Sequence, residues 1–157
     1  MLYGFFEWLE ASTLGVFVKD QAATFAIIEA VHLIGLALLG GAVLTADLRL
    51  LNVVLRDVPS NAVTEQAHRW FKVGLWILVL TGVPMLAGVA TKCYHNPFYW
   101  TKMIALAIAI LFVFTLKQPL LRGDHASLQP VTLKLMALAS ISLWFLVAAS
   151  GRWIGFS

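Results

Sequence analysis

Two side chains with the potential for chemistry, Glu29 and His32, lie three residues apart in an apolar stretch that covers residues 22–46. An acid and an imidazole are costly in hydrocarbon, since one charge at the centre of a bilayer costs about 3 to more than 10 kcal/mol. At a spacing of three, both side chains lie on one face of a helix and can share a site. The sequence therefore predicts that any functional site of this chain includes this pair.

The chemistry that His32 suggests is metal ligation. Neutral imidazole binds haem iron, copper or zinc, and Glu29 could ligate beside it or orient it. A haem held by two histidines needs a second imidazole at the same depth. His95 is predicted on the same side of the membrane as His32, whereas His68 and His125 are predicted on the opposite side, in contact with solvent. The candidate metal ligands are therefore His32 and His95, for haem b or copper.

The composition decides the class of protein in which these residues act. Of 157 residues, 61% are hydrophobic and 12% are charged, whereas a soluble domain carries about 25% charged residues. The chain is therefore predicted to be an integral protein of the lipid bilayer, with room for about four spans of roughly 20 residues. The net charge of +3 comes from basic residues scattered between the apolar stretches. This pattern indicates membrane topology and not nucleic-acid binding.

The apolar stretches predict an all-α fold, an antiparallel four-helix bundle that forms one transmembrane domain over residues 1–157. The predicted spans cover 22–46, 70–90, 98–116 and 131–150. Residues 5–18 are too short and too polar to span, and they predict an amphipathic helix at the membrane interface. Small residues such as Gly35, Gly74 and Ala105 predict close approach of the helices.

The basic residues predict the orientation of this bundle. The side with both chain termini and the turn at 92–97 holds four basic residues, and the opposite side holds seven. Basic residues stay in the cytoplasm. Both termini are therefore predicted to be periplasmic, in a bacterial inner membrane.

This topology brings three more polar side chains towards the first pair. Lys102 and Arg152 lie near the outer ends of the third and fourth spans, and His95 lies in the outer turn. At about 1.5 Å per residue, Glu29 and His32 lie roughly 10 and 14 Å inside the first span. The sequence predicts that these five side chains form one polar layer, which would bind any cofactor.

Three interpretations of this layer are open. In the favoured one it holds haem b or copper in an accessory subunit of a membrane oxidoreductase, non-catalytic by itself and part of a complex or a homo-oligomer. In the second it is an ion-paired network without a cofactor, because charges persist in lipid mainly by pairing. In the third it serves a quinone, a lipid headgroup, an ion or a small solute. Asp47 is predicted at the membrane edge, so no second intramembrane acid extends a proton path from Glu29.

Short motifs run through nearly the whole chain. They are Glu29-x-x-His32 with Gly35, Asp47-Leu-Arg49-Leu-Leu, Thr81-Gly82, Tyr94-His95-Asn96-Pro97 with Phe98 and Lys102, and Gly151-Arg152-Trp153-Ile154. In these motifs the chain resembles an uncharacterised family of short bacterial inner-membrane proteins with four spans, itself distantly similar to copper-resistance membrane proteins and small b-type cytochromes. The resemblance implies a four-helix membrane fold with a polar layer at its outer end. It implies no activity, and the full histidine sets of the copper and cytochrome proteins are missing.

Overall fold

Four long helices form the body of the protein. The computed structural model describes residues 2–122 and 129–156, and the elements within these residues are all helical. The helices long and apolar enough to cross a membrane are Ala22–Leu50, Ser60–Gly88, Pro97–Leu121 and Pro130–Phe156. The predicted all-α fold with four spans is therefore confirmed, and each helix is longer than the span predicted for it.

Shorter helical segments precede, join and extend the four spans. The third span runs from α6 through a π-helical turn into α7, and the fourth ends in a 3₁₀ turn. In chain order the elements are α1 (Leu2–Ala11), α2 (Thr13–Asp20), α3 (Ala22–Leu50), α4 (Ser60–Gly88), α5 (Ala90–His95), α6 (Pro97–Leu111), the π turn (Phe112–Lys117), α7 (Gln118–Arg122), α8 (Pro130–Trp153) and the 3₁₀ turn (Ile154–Phe156).

The first two spans approach each other through glycine. A Cβ atom at Gly35 would lie 2.6 Å from Ile77 Cγ2, and one at Gly74 would lie 2.9 Å from the backbone nitrogen of Leu39. A side chain at either position would force α3 and α4 apart, which is why small residues occupy such contacts in membrane helices. α8 packs on both α3 and α6, and this arrangement closes the bundle.

The N-terminal segment is two helices and not the single helix predicted over 5–18. Ser12 interrupts it: its hydroxyl donates to the carbonyl of Leu9 at 2.5 Å and accepts from the backbone N–H of Gly15 at 3.2 Å. Such side-chain bonds to the backbone end one helix and cap the next. α2 then packs on α4, with Val18 buried. The segment therefore covers one end of the bundle, here called the terminal end because α1, α2 and the C-terminal turn lie there.

Glu10 holds α1 and α2 on α5. One oxygen of its carboxylate accepts from Lys19 Nζ at 2.6 Å, and the other accepts from the backbone N–H and the hydroxyl of Thr91 at 2.7 and 2.5 Å. The bond from Lys19, followed by those from Thr91, stabilises the charged form and lowers the pKa of Glu10 to about 2. Glu10 is therefore ionised at neutral pH and joins three helices.

Glu10→Gln is expected to weaken the docking of α1 and α2 on α5, because the neutral amide loses the ion pair with Lys19 and accepts the three hydrogen bonds less strongly. Since the folded pKa lies below the ordinary value of 4.5, the carboxylate stabilises this docking above that pH, and the contribution is lost as pH falls towards 2. Hydrogen–deuterium exchange near neutral pH should rise in α1 and α2 and stay constant in α8. Glu7→Gln, at an exposed acid of α1, is the control, and equal exchange in the two variants would contradict the role of Glu10.

A buried ion pair lies in the opposite half of the bundle. Lys117, at the end of the π turn, places its ammonium 2.5 Å from Asp47 Oδ1 on α3 and 3.1 Å from the hydroxyl of Ser140 on α8. The three residues are 5%, 0% and 0% exposed, respectively. Asp47 lies three residues before α3 ends at Leu50, so its place at the membrane edge stays a prediction. The sequence did not predict that its carboxylate is buried inside the bundle, where Lys117 links three spans.

Removal of one partner of a buried ion pair leaves an unpaired charge and costs about 3–5 kcal/mol. We expect Asp47→Leu and Lys117→Met each to lower the free energy of unfolding by about that amount. The double variant should lose less than the sum of the two, because no charge is left unpaired. Equilibrium unfolding in mixed detergent micelles measures the free energy of unfolding of the two single variants and of the double variant. Glu65→Gln, which breaks an exposed pair with Arg69, should cost under about 1 kcal/mol, and additive losses in the double variant would refute the coupling.

Candidate functional site

His32 lies on α3 where that helix faces α4. Its Nδ1 is 2.7 Å from the hydroxyl oxygen of Thr81, and that hydroxyl donates its own proton to the carbonyl of Ile77 at 2.6 Å. Because the Thr81 proton is used in this way, we assign the proton of the imidazole to Nδ1, as the donor to Thr81. The second ring nitrogen, Nε2, is then left with a lone pair. A histidine whose other nitrogen is fixed by a donor bond is the usual arrangement of a metal ligand.

Gly82 gives the imidazole its place against α4. A Cβ atom at Gly82 would lie 3.5 Å from His32 Cε1, so the ring rests against the backbone of α4 next to Thr81. The ring is half-buried there. The motif Thr81-Gly82 therefore has two roles, a hydrogen-bond acceptor for Nδ1 and a flat surface for the ring. The motif is visible in the sequence, but nothing in the sequence indicates that the motif faces His32.

Lys102 brings a positive charge into the same half of the bundle. A Cβ atom at Gly151 would lie 3.5 Å from both Cε and Nζ of Lys102, so the lysine side chain extends along the backbone of α8. The side chain is half-buried there. Among the residues described, no carboxylate pairs with it and no acceptor takes a hydrogen bond from it. The ammonium of Lys102 thus lies in the same half of the bundle as His32, without an anion of its own in the part of the chain that the structure describes.

The other three residues assigned to the polar layer lie outside this pair. Glu29 is exposed on α3. His95 is exposed at the end of α5, with its ring 5.6 Å from that of Tyr3. Arg152 is exposed near the end of α8, with its guanidinium carbon 4.7 Å from the centre of the Phe156 ring. Of the five side chains predicted to converge, His32 and Lys102 are the two that are half-buried in this half of the bundle, and the other three are exposed.

The remaining candidate ligands are dispersed. Within residues 2–122 and 129–156, no three His, Cys, Asp or Glu side chains lie close enough together to hold a metal ion. Cys93 is buried on α5, and burial raises the pKa of its thiol, so it stays neutral. His68 is half-buried and stacks on Phe71, so its predicted position in solvent is only partly correct. His125 lies outside the described residues.

Comparison with known proteins supports the resemblance at the level of the family. A model described as a family of unknown function, DUF6644, matches residues 5–157. The chain belongs to the DUF6644 family. The predicted membership of an uncharacterised family is therefore confirmed. No curated protein and no solved structure matches the chain, so the chemistry of this DUF6644 protein has to be inferred from its own geometry.

The hydrogen bond from His32 to Thr81 is open to a direct test in this DUF6644 protein. Thr81→Val keeps the shape of the side chain but removes the acceptor, so the imidazole N–H is left without a partner at a cost of about 1–3 kcal/mol. Nitrogen-15 NMR of labelled histidine should report an Nδ1–H tautomer in the unmodified protein and a changed tautomer ratio in Thr81→Val. Thr81→Ser retains the hydroxyl and should behave like the unmodified protein. An Nε2–H tautomer in the unmodified protein would contradict the assignment.

Proposed function

We propose that the chain is an accessory subunit of a membrane oxidoreductase and that His32 and Lys102 hold a haem b in the terminal half of the bundle. The observation that carries this proposal is the hydrogen bond between His32 Nδ1 and Thr81 at 2.7 Å. It fixes the ring and leaves Nε2 as the nitrogen that can bind iron. A bound haem would supply one-electron transfer.

Lys102 is the second reason for preferring haem. An ammonium inside a membrane bundle needs an anion to offset its desolvation, and none of the described side chains supplies one. The carboxylates of a haem would do so, because a lysine and a carboxylate form a charge-assisted hydrogen bond. A ligand that combines a metal with acidic groups therefore matches the chemistry of the two half-buried side chains of this half, an imidazole and an ammonium.

Copper fits the donor set less well than haem. A protein copper site usually has three or more nitrogen or sulfur ligands, and the described residues contain no such group. His95, the second predicted ligand, contacts Tyr3 and Tyr94 at the surface. We therefore propose that a single histidine, His32, would hold the metal. The proposal gives no direct role to the three exposed side chains of the predicted layer, which are Glu29, His95 and Arg152. They would affect a cofactor only from outside the site of His32 and Lys102.

The proposed location is a bacterial inner membrane with both termini in the periplasm. The support is the count of basic residues, seven against four in the sequence. Two of these side chains do not face water, since Lys117 is buried and Lys102 is half-buried. Leaving them out gives six against three, so the asymmetry persists and supports a cytoplasmic position for the opposite end.

A visible spectrum of the protein purified from its native membrane, before and after dithionite, tests the haem proposal. We expect a Soret band that shifts on reduction and is lost in His32→Ala, because the iron loses its axial nitrogen. His68→Ala, a histidine near the opposite end of α4, is the matched control and should keep the band. Lys102→Met should lower the haem content by about tenfold, the equivalent of roughly 1.4 kcal/mol.

The competing function is a cofactor-free subunit that only packs in a complex. It is favoured if the unmodified protein has neither a Soret band nor stoichiometric copper, a result that would rule out the redox proposal. A change of spin state in His95→Ala would instead contradict the single axial ligand, because it would identify His95 as a second one.

A further inference from the structure

Glu29 is an acid without a partner in a membrane span. It lies seven residues after the start of α3 at Ala22, which is about 10 Å into the span at 1.5 Å per residue. Its side chain is exposed, and among the residues described it makes no hydrogen bond or ion pair. Charged groups at such depth persist in membrane proteins when another protein group pairs with them. The exposed face of α3 is therefore incomplete in the isolated chain.

The surface around Glu29 has the shape of a helix-docking face. The exposed face of α3 is broad and includes large residues such as Ile27 and Ile34. Within it, one stripe consists mostly of small residues, at the spacing of three and four that keeps side chains on one side of a helix. Small residues in such a stripe let a second helix approach its backbone closely. The stripe consists of Ala22, Ala26, Glu29, Ala30, Leu33, Ala37 and Gly41. The unpaired carboxylate of Glu29 and the small side chains around it thus indicate the same face of α3 as a docking face.

The same stripe leads into a groove between α3 and α4. The groove has a volume of about 520 Å³ and is lined by Ala37 and Gly41 of the stripe and by Trp70 of α4. Its walls are almost wholly apolar, as expected for a surface that receives the side chains of another membrane helix. The groove extends the docking face from Glu29 towards the opposite end of the bundle.

A second copy of this chain does not supply the missing charge. Lys102 is half-buried along Gly151, and Lys19 is paired with Glu10. Arg152 lies one residue from the end of α8, nearer the bundle end than Glu29, and is held over Phe156. Two copies joined through this stripe would also bring their Glu29 carboxylates together, since a two-fold contact pairs the same surface with itself. The other basic side chains of this end, Lys92 and His95, lie on α5, beyond the end of the second span at Gly88, whereas Glu29 lies inside the first span. We therefore assign the basic partner to a different chain.

We propose that the stripe from Ala22 to Gly41 binds a membrane-spanning helix of another protein, and that this helix places a lysine, arginine or histidine against Glu29. The inference rests on the proposed function only in that both assign the chain to a membrane complex. It adds the surface of α3 that binds the partner, the basic side chain that the partner must have, and Glu29 as the residue that selects the partner. Pairing removes the cost of the exposed acid, and the small-residue stripe provides the contact area.

Photo-crosslinking in the native host tests this proposal. A benzophenone amino acid replaces Leu33, which is large, exposed and part of the stripe, or Leu80, an equally exposed residue of α4 used as the control. We expect an adduct at position 33 that maps, by mass spectrometry, to an apolar span of another protein with a basic residue, and none at position 80. Glu29→Gln should lower the yield about tenfold, whereas Glu65→Gln should leave it unchanged.

A charge exchange completes the test. Glu29→Arg should abolish the adduct, and replacing the partner's basic residue with glutamate should restore it. An adduct with a second copy, an adduct with lipid only, or a yield unaffected by Glu29→Gln would each overturn the proposal. The haem spectrum is an independent readout: a Soret band without the adduct refutes only the docking face, and an adduct without the band refutes only the cofactor.

Discussion

The ion pair between Asp47 and Lys117 is the interaction on which the arrangement of the spans depends. In a bilayer, each charge inside the bundle must be neutralised by another protein group, because water is absent. Lys117 also reaches Ser140, so one ammonium links α3, the third span and α8. The π turn that ends at Lys117 shifts the register of its helix, and π turns often occur where a side chain has a specific role. Sliding α3 or the third span would break the pair, and sliding α8 would break the hydrogen bond from Lys117 to Ser140.

The polar groups of the protein then fall into two sets. Glu10 is fully partnered within the chain by Lys19 and Thr91, whereas Asp47 pairs with Lys117 through one carboxylate oxygen and its other oxygen, Oδ2, has no hydrogen-bond partner in the part of the chain that the structure describes. They hold helices in place. His32 Nε2, the Lys102 ammonium and the Glu29 carboxylate have no such partner among the described residues. Since unpaired polar groups are costly in lipid, the second set is where a ligand or another chain is expected, and both proposals are built on it.

Hydropathy measures how apolar each stretch of the chain is, and this decides how much of the fold could be predicted. Four apolar stretches of sufficient length specify four spans regardless of how they pack. The pairing of Asp47 with Lys117 could not be predicted, because 70 residues separate the two and each one alone looks like an ordinary charge at a membrane edge. The break at Ser12 could not be predicted either, since the apolar pattern continues across it and the hydroxyl of one residue ends the first helix and caps the next.

For the site, the sequence determined the depth of the polar residues and the tertiary structure decided their direction. Spacing along α3 places Glu29 and His32 on neighbouring positions of one face, and the number of residues to the helix end gives their depth. Which side of that face meets α4 depends on the close contact at Gly35 and Gly74. That packing turns His32 towards Thr81 and leaves Glu29 outside. Hydropathy along one helix contains no information about the rotation of that helix against its neighbours, so only the assembled bundle separates the two roles.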